Sequence, residues 1–287
     1  MTDISVVGAD RGNVYVGERC SFGSCVEIIF LGEGTVSLSD YVTLGDGVRI
    51  IVEGGSVRIG DWSTLHPGTT VFCKNGVTIG SHCWFGQHSV IDGTGGLTIE
   101  DGVRVGMYSQ IWTHVAAGEQ IEGCTLFGET PTHIESDVWL VGSCTVGSGV
   151  QIGRRTIALA GSNVTKSCPP NLVLAGSPAK IKEGLNFYRT ISLDEKFELL
   201  KGWLSNAPFA SIEGANLEAD ECTIDIKISD MGSVKFLKTR LQFEAEKNFN
   251  KSTTFCCVET KNYTKNLSAA EHVVLKYLSN NKARFYS

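Results

Sequence analysis

What constrains this chain most is a period of six. Aligning "IGDWSTLHPGTTVFCKNGVT" from Ile59, "IGSHCWFGQHSVIDGTGGLT" from Ile79 and "IEDGVRVGMYSQIWTHVAAG" from Ile99 gives three blocks of 20 residues, each with an aliphatic or Phe side chain at its first, seventh and thirteenth positions. The same beat runs back through Leu38, Leu44 and Ile50, and more loosely through Val16, Phe22 and Ile28. It also runs forward through Ile134, Leu140, Val146, Ile152, Ala158 and Val164. An apolar residue every sixth position is too sparse for a helix of 3.6 residues per turn or for a long alternating strand. It suits a coil with three flat faces, in which each aliphatic side chain points to a shared interior and Gly, Asp or Asn turns the corners. Successive coils then pair as parallel strands about 4.8 Å apart. The expected fold is therefore mainly β, a parallel β-helix of about seven three-strand coils.

The beat fails once, in "QIWTHVAAGEQIEGCTLFGETPTHIESDVWLVG", where the chain leaves the repeat after His114 and regains it at Ile134. Residues 115–133 are expected to protrude as a loop. Glycine usage marks a second break: of 33 glycines only Gly202, Gly214 and Gly232 follow residue 184. This predicts a coil domain over 1–184 and a small α+β domain over 185–287. In the latter, "SLDEKFELLKGWLSNA" reads as an amphipathic helix capped by Ser192, with Phe197, Leu200 and Leu204 on one face. "CTIDIKI", "VKFLKT" and "TFCCVET" read as strands and "SAAEHVVLKYLSNN" as a final helix.

Charge and cysteine content narrow the setting. Residues 1–149 carry 17 acidic and 6 basic side chains, whereas 150–184 carry one and five. An acidic body argues against a nucleic-acid scaffold, and its one basic end suits a local anion site. Ten scattered cysteines in a chain of 287 residues, with no signal peptide before them, point to a reduced, cytoplasmic protein. No apolar run approaches the roughly 18 residues that span a bilayer.

From Ile79 to Lys182 the chain resembles the hexapeptide-repeat acyltransferases, in the branch of the galactoside, maltose and polysaccharide O-acetyltransferases. The residues that carry the likeness are "WTH" at 112–114, the loop, "IESDVWLVG" at 134–142, "AGSNVTKSCPPN" at 160–171 and "AGSPAKI" at 175–181. The resemblance implies a left-handed β-helix, a homotrimer with sites between prisms, acetyl-CoA as co-substrate, no metal, and transfer to a sugar hydroxyl of a surface polysaccharide or its precursor. It implies His114 as the general base, a role that suits an imidazole with a pKa near 6.5. It implies a backbone donor for the oxyanion at Gly142, although Leu140-Val141-Gly142 departs from the usual aliphatic-Gly-small pattern. Gln87 stands where relatives place an asparagine that faces the acceptor, Asp92 matches an aspartate found in several of them and is expected with it on the acceptor side, and Trp139 matches a tryptophan near the acceptor pocket. His88 lies where it can touch the acceptor. Ala160, Ser162, Thr165, Lys166 and Lys180 match the CoA groove, within the basic group that also holds Arg154, Arg155 and Lys182.

Other readings of the same residues stay open. N-acetylation of an amino sugar or nucleotide amino sugar needs the same base. A metal enzyme like the gamma-class carbonic anhydrases would use His82, His88 and His114 across a trimer interface. A scaffold without catalysis would leave His114 incidental. Cys83, Cys124 and Cys144 read as small packing residues rather than nucleophiles.

Overall fold

The computed structural model describes residues 4–211, 214–248, 250, 252–279 and 281–287. The chain divides into two compact units between Tyr188 and Arg189, shortly after Gly184.

In the first unit each coil contributes one short strand to each of three parallel sheets, here called faces I, II and III. Face I has eight strands, from Ser5–Val7 to Asn163–Val164. Face II has seven, from Gly12–Val16 to Gln151–Ile152. Face III has nine, the last of which, Lys180–Ile181, runs antiparallel to Val173–Ala175 and ends the stacking. Along each coil the chain passes from face III to face I to face II. Strand order and hydrogen bonding thus follow directly from the sixfold beat.

Registers between coils align the periodic residues one above another. On face I, Ile28, Ile50, Val71, Ile91, Ile111, Val146 and Val164 pair in succession. On face III, Leu44, Leu65, Phe85, Val105, Leu140, Ala158 and Leu174 do the same. All of these side chains belong to one buried core. Because strand side chains alternate, the neighbours of each ladder point outward, and the corners between faces carry the polar groups.

One corner position is closed from within. Thr69, Ser89, Ser109, Cys144 and Ser162 each precede a face I strand and are buried. The Ser89 hydroxyl donates to Gly86 O at 2.8 Å and the Ser162 hydroxyl to Leu159 O at 2.5 Å. Cys83 and Cys144 are likewise buried, their thiols set against backbone carbonyls.

The second unit holds a four-stranded sheet ordered Ala215–Ala219, Thr223–Ile228, Gly232–Leu237 and Thr253–Cys257, with only the last pair parallel. The helix α1, Leu193–Ser205, starts at Ser192, whose hydroxyl accepts from Glu195 N–H at 3.1 Å, and buries Phe197, Leu200 and Leu204. The final helix is Ala269–Ser279. Sequence patterning leaves out the strand Ala215–Ala219 and the short helix Arg240–Glu246, where the apolar periodicity is weak. No helix among the described residues is long and apolar enough to cross a membrane.

Ile111 sits fully buried in the middle of the face I ladder, directly below the interruption. Ile111→Ala is expected to destabilise the first unit by about 2–5 kcal/mol through lost burial and a residual cavity. The urea midpoint of the full-length protein checks this.

Candidate active site

The break in the repeat occurs at the corner between faces I and II. The chain leaves at Thr113 and returns at Thr130, whose N–H donates to Thr113 O at 2.9 Å, so the neck of the excursion is closed by its own hydrogen bond. Gly95, one coil below, makes that closure possible: a Cβ there would lie 2.2 Å from Thr113 O and 2.6 Å from Thr130 N. Its N–H donates to the Thr113 hydroxyl at 2.8 Å.

Beyond the neck the excursion is ordered as an antiparallel hairpin, His114–Ala116 against Phe127–Glu129, with His114 opposite Glu129. The arm above it is exposed, including Ile121 and Leu126. The loop expected over 115–133 is thus a hairpin that begins with His114 itself, and Thr132–Ile134 already belongs to the wall.

At the root of this hairpin His114 meets Asp92. Its Nδ1 lies 2.9 Å from Asp92 Oδ2, and the same oxygen accepts from Thr113 N–H at 2.8 Å and from the Thr113 hydroxyl at 2.7 Å. The other oxygen accepts from the Thr94 hydroxyl at 2.5 Å and the Thr94 N–H at 3.3 Å. Burial works against an ionised Asp92, but the hydrogen bonds from Thr94, Thr113 and His114 outweigh it and hold the carboxyl below its ordinary range. An ionised carboxylate only accepts, so the proton of the neutral ring sits on Nδ1 and the lone pair on Nε2. Nε2 has no hydrogen-bond partner among the described residues, and the side chain is about one third exposed (36%). Trp112 stands edge-on to the ring, centroids 5.7 Å apart. A buried carboxylate therefore orients a partly exposed imidazole.

Asp92 consequently occupies a different place from the one expected. It is 2% exposed with both oxygens engaged, so it faces His114 rather than an acceptor. Ser162 is also displaced from its expected role at the CoA groove, because it is buried and its hydroxyl is spent on Leu159 O. Thr165 and Lys166 are exposed on the same corner as His114, two coils further on.

The remaining candidates stand on the corner between faces III and I. Gln87 and His88 lie there, followed by Met107 and Tyr108, then Gly142, then Ala160. His88 is exposed and stacks on Tyr108 at 5.6 Å with the rings 8° from parallel. Val141 and Ser143 donate their N–H groups to Ala158 O and Met107 O, whereas the Gly142 N–H has no partner among the described residues. Trp139 projects outward from face III and is exposed, and Lys180 is exposed on the last strand of that face. Within one chain the structure brings His114 together with Asp92, and Gln87 with His88, but leaves these two groups on different corners. His82 occupies the third corner, stacked on Trp62, so His82, His88 and His114 do not converge within a chain.

No family model matches the chain. It is 31% identical over 147 residues to Nodulation protein L of Rhizobium meliloti (strain 1021), a match spanning 49% of this chain and 79% of that protein. It is 38% identical over 69 residues to Galactoside O-acetyltransferase of Lactococcus lactis subsp. lactis (strain IL1403), which covers 23% of this chain and only 33% of that enzyme. The crystal structure of a polysialic-acid-specific acetyltransferase shares the fold, with a TM-score of 0.56 at 20% identity over 69% of this chain and 93% of the other. The fold is the left-handed β-helix, and the chain belongs to the hexapeptide-repeat acetyltransferases.

Asp92→Asn tests the buried carboxylate through pH. A carboxyl held below its unfolded value of about 3.9 stabilises the fold above that pH, and the contribution disappears as pH falls through the lower, folded value. The variant is expected to have a lower urea midpoint than wild type at pH 7, with the difference narrowing as the pH drops below about 4. A difference that stays constant into acid would mean that Asp92 is not ionised in the fold.

Proposed function

We propose that the protein is an acetyl-CoA-dependent O-acetyltransferase that acts on a sugar hydroxyl of a surface polysaccharide or its precursor, in the cytoplasm where the donor is found. The observation that carries this reading is the His114 Nδ1 to Asp92 contact at the root of the arm. Asp92 keeps the proton on Nδ1, and Nε2 takes the proton of the acceptor hydroxyl as its oxygen attacks the thioester carbonyl. The carbon–oxygen bond forms and the carbonyl electron pair moves to oxygen, where the Gly142 N–H serves as donor. Collapse of this intermediate breaks the carbon–sulfur bond, and the leaving thiolate recovers the proton from the imidazolium. No covalent enzyme intermediate is needed.

His114 and Gly142 stand on different corners, so a complete site takes the corner between faces III and I from a second copy of the chain. A homotrimer with sites between adjacent prisms meets that requirement. Gln87, His88 and Trp139 of one copy then line the acceptor side. Thr165 and Lys166 from the other copy, with Ala160 and Lys180, border the path of CoA, and the lysines offer charge to its phosphates. The sugar acceptor rests on the galactoside and polysialic-acid enzymes to which the chain is similar. An amino-sugar acceptor would use the same base and would yield an amide in place of an ester, which alkaline hydroxylamine distinguishes.

His114→Ala is expected to lower acetyl transfer by about 10²–10⁴-fold with folding and oligomeric state intact. Thiol release from acetyl-CoA in the presence of sugars, nucleotide sugars and capsular oligosaccharides measures it, and an unchanged rate removes His114 from catalysis. Lys166→Ala is expected to raise KM for acetyl-CoA several-fold while kcat holds, the signature of lost ground-state binding.

A further inference from the structure

The histidine ring is held by Asp92, but its backbone is held from elsewhere. Lys74 and Asn75 form the corner between faces I and II two coils below the hairpin, between strands Thr70–Cys73 and Val77–Ile79. Lys74 Nζ lies 2.5 Å from Glu129 Oε1, and Asn75 Nδ2 donates to Glu129 Oε2 at 3.1 Å. The same amide nitrogen lies 2.6 Å from Thr94 O, on the corner of the coil between. Glu129 is the residue paired with His114 across the hairpin. The chain of contact therefore runs from Lys74 and Asn75 through the Glu129 carboxylate to the strand that carries His114.

We propose that Lys74 and Asn75 are positioning residues for His114, clamping the returning strand of the hairpin so that the imidazole is fixed before substrate binds. This rests on the reading of His114 as the base. The ion pair is part-exposed, with side-chain exposures of 44% and 29%, and a pair of that kind contributes little to global stability. Its effect is local. It sets the height of one strand against the corner, and catalysis is far more sensitive to such a shift than folding is, since a misplacement of about 1 Å costs on the order of 100-fold in rate. The arm beyond the hairpin is largely exposed. The neck bond between Thr130 and Thr113 fixes where the strand leaves the wall, and the clamp fixes where it lies afterwards.

The test uses the full-length protein, with acetyl-CoA and whichever sugar the wild type acetylates, alongside an assay that needs no acceptor. Lys74→Ala is expected to lower kcat roughly 10- to 100-fold with KM for acetyl-CoA within about twofold. Lys74→Arg is expected to restore most of the loss, since it keeps the charge and reach. Glu129→Gln should match Lys74→Ala, and the double variant should be no worse than either alone, as for two ends of one contact. Without any acceptor, amide hydrogen exchange across 113–116 and 127–130 should quicken in Lys74→Ala and recover in Lys74→Arg, with the melting temperature little changed. Wild-type exchange there in Lys74→Ala overturns the proposal. So does wild-type kcat in that variant while His114→Ala is inactive. Should His114→Ala itself keep the wild-type rate, the base assignment falls, and the clamp loses its catalytic meaning even if the exchange result stands.

Discussion

Hydrogen bonding between successive coils is the constraint on which the rest of the first unit depends. Each strand donates to and accepts from strands one coil before and one coil after, so no strand can shift register without moving the whole aliphatic ladder off the core. Such a wall is stiff, and its interior is filled by the buried aliphatic ladders. Chemistry is therefore left to the outward side chains of the faces and to the corners, where the backbone turns. The one long excursion occurs at a corner for the same reason: a loop can leave there while the strands on either side of it keep their partners.

At that corner two kinds of order meet. The buried carboxylate of Asp92 is fixed by the coil, because it lies within a face I strand, and by the neck residue Thr113, which covers it. The hairpin is fixed by side chains that reach up from coils below. His114 sits where these meet, with its ring set by the wall and its backbone by the arm. Its remaining nitrogen is left toward solvent, where an acceptor hydroxyl can approach. If His114 is the base, as proposed, a ring held in this way needs little reorganisation on going to the transition state.

Most of the coil could be read in the sequence, because a side chain at every sixth position reports its own burial. The inward ladders and the place of the interruption follow from that beat alone. The environment of Asp92 did not, since its burial comes from residues about 20 positions downstream that fold over it. The repeat does contain the signal, because the register that pairs Val90 with Gln110 sets Asp92 beside Trp112, next to Thr113 and His114. Ser162 could have been placed in the same way, as it shares its position in the coil with Thr69, Ser89, Ser109 and Cys144, all buried. The link between Lys74 and Glu129 spans 55 residues and crosses the aperiodic arm, so no local pattern announces it.

The stacking of coils also makes the first unit a ruler. Lys166 follows Thr113 by two coils on one corner, which places it roughly 10 Å along the prism from the residue beside His114, at about 4.8 Å per coil. That interval can change only by a whole coil, because an insertion within a strand would turn an inward ladder outward and one at a corner loops out without moving the strands. Side chains at a corner can be exchanged freely while their spacing stays quantised. A chain of this kind can therefore alter which group stands at each mark without altering the distance between marks, so that a donor of fixed length such as CoA can be kept in register while the acceptor changes.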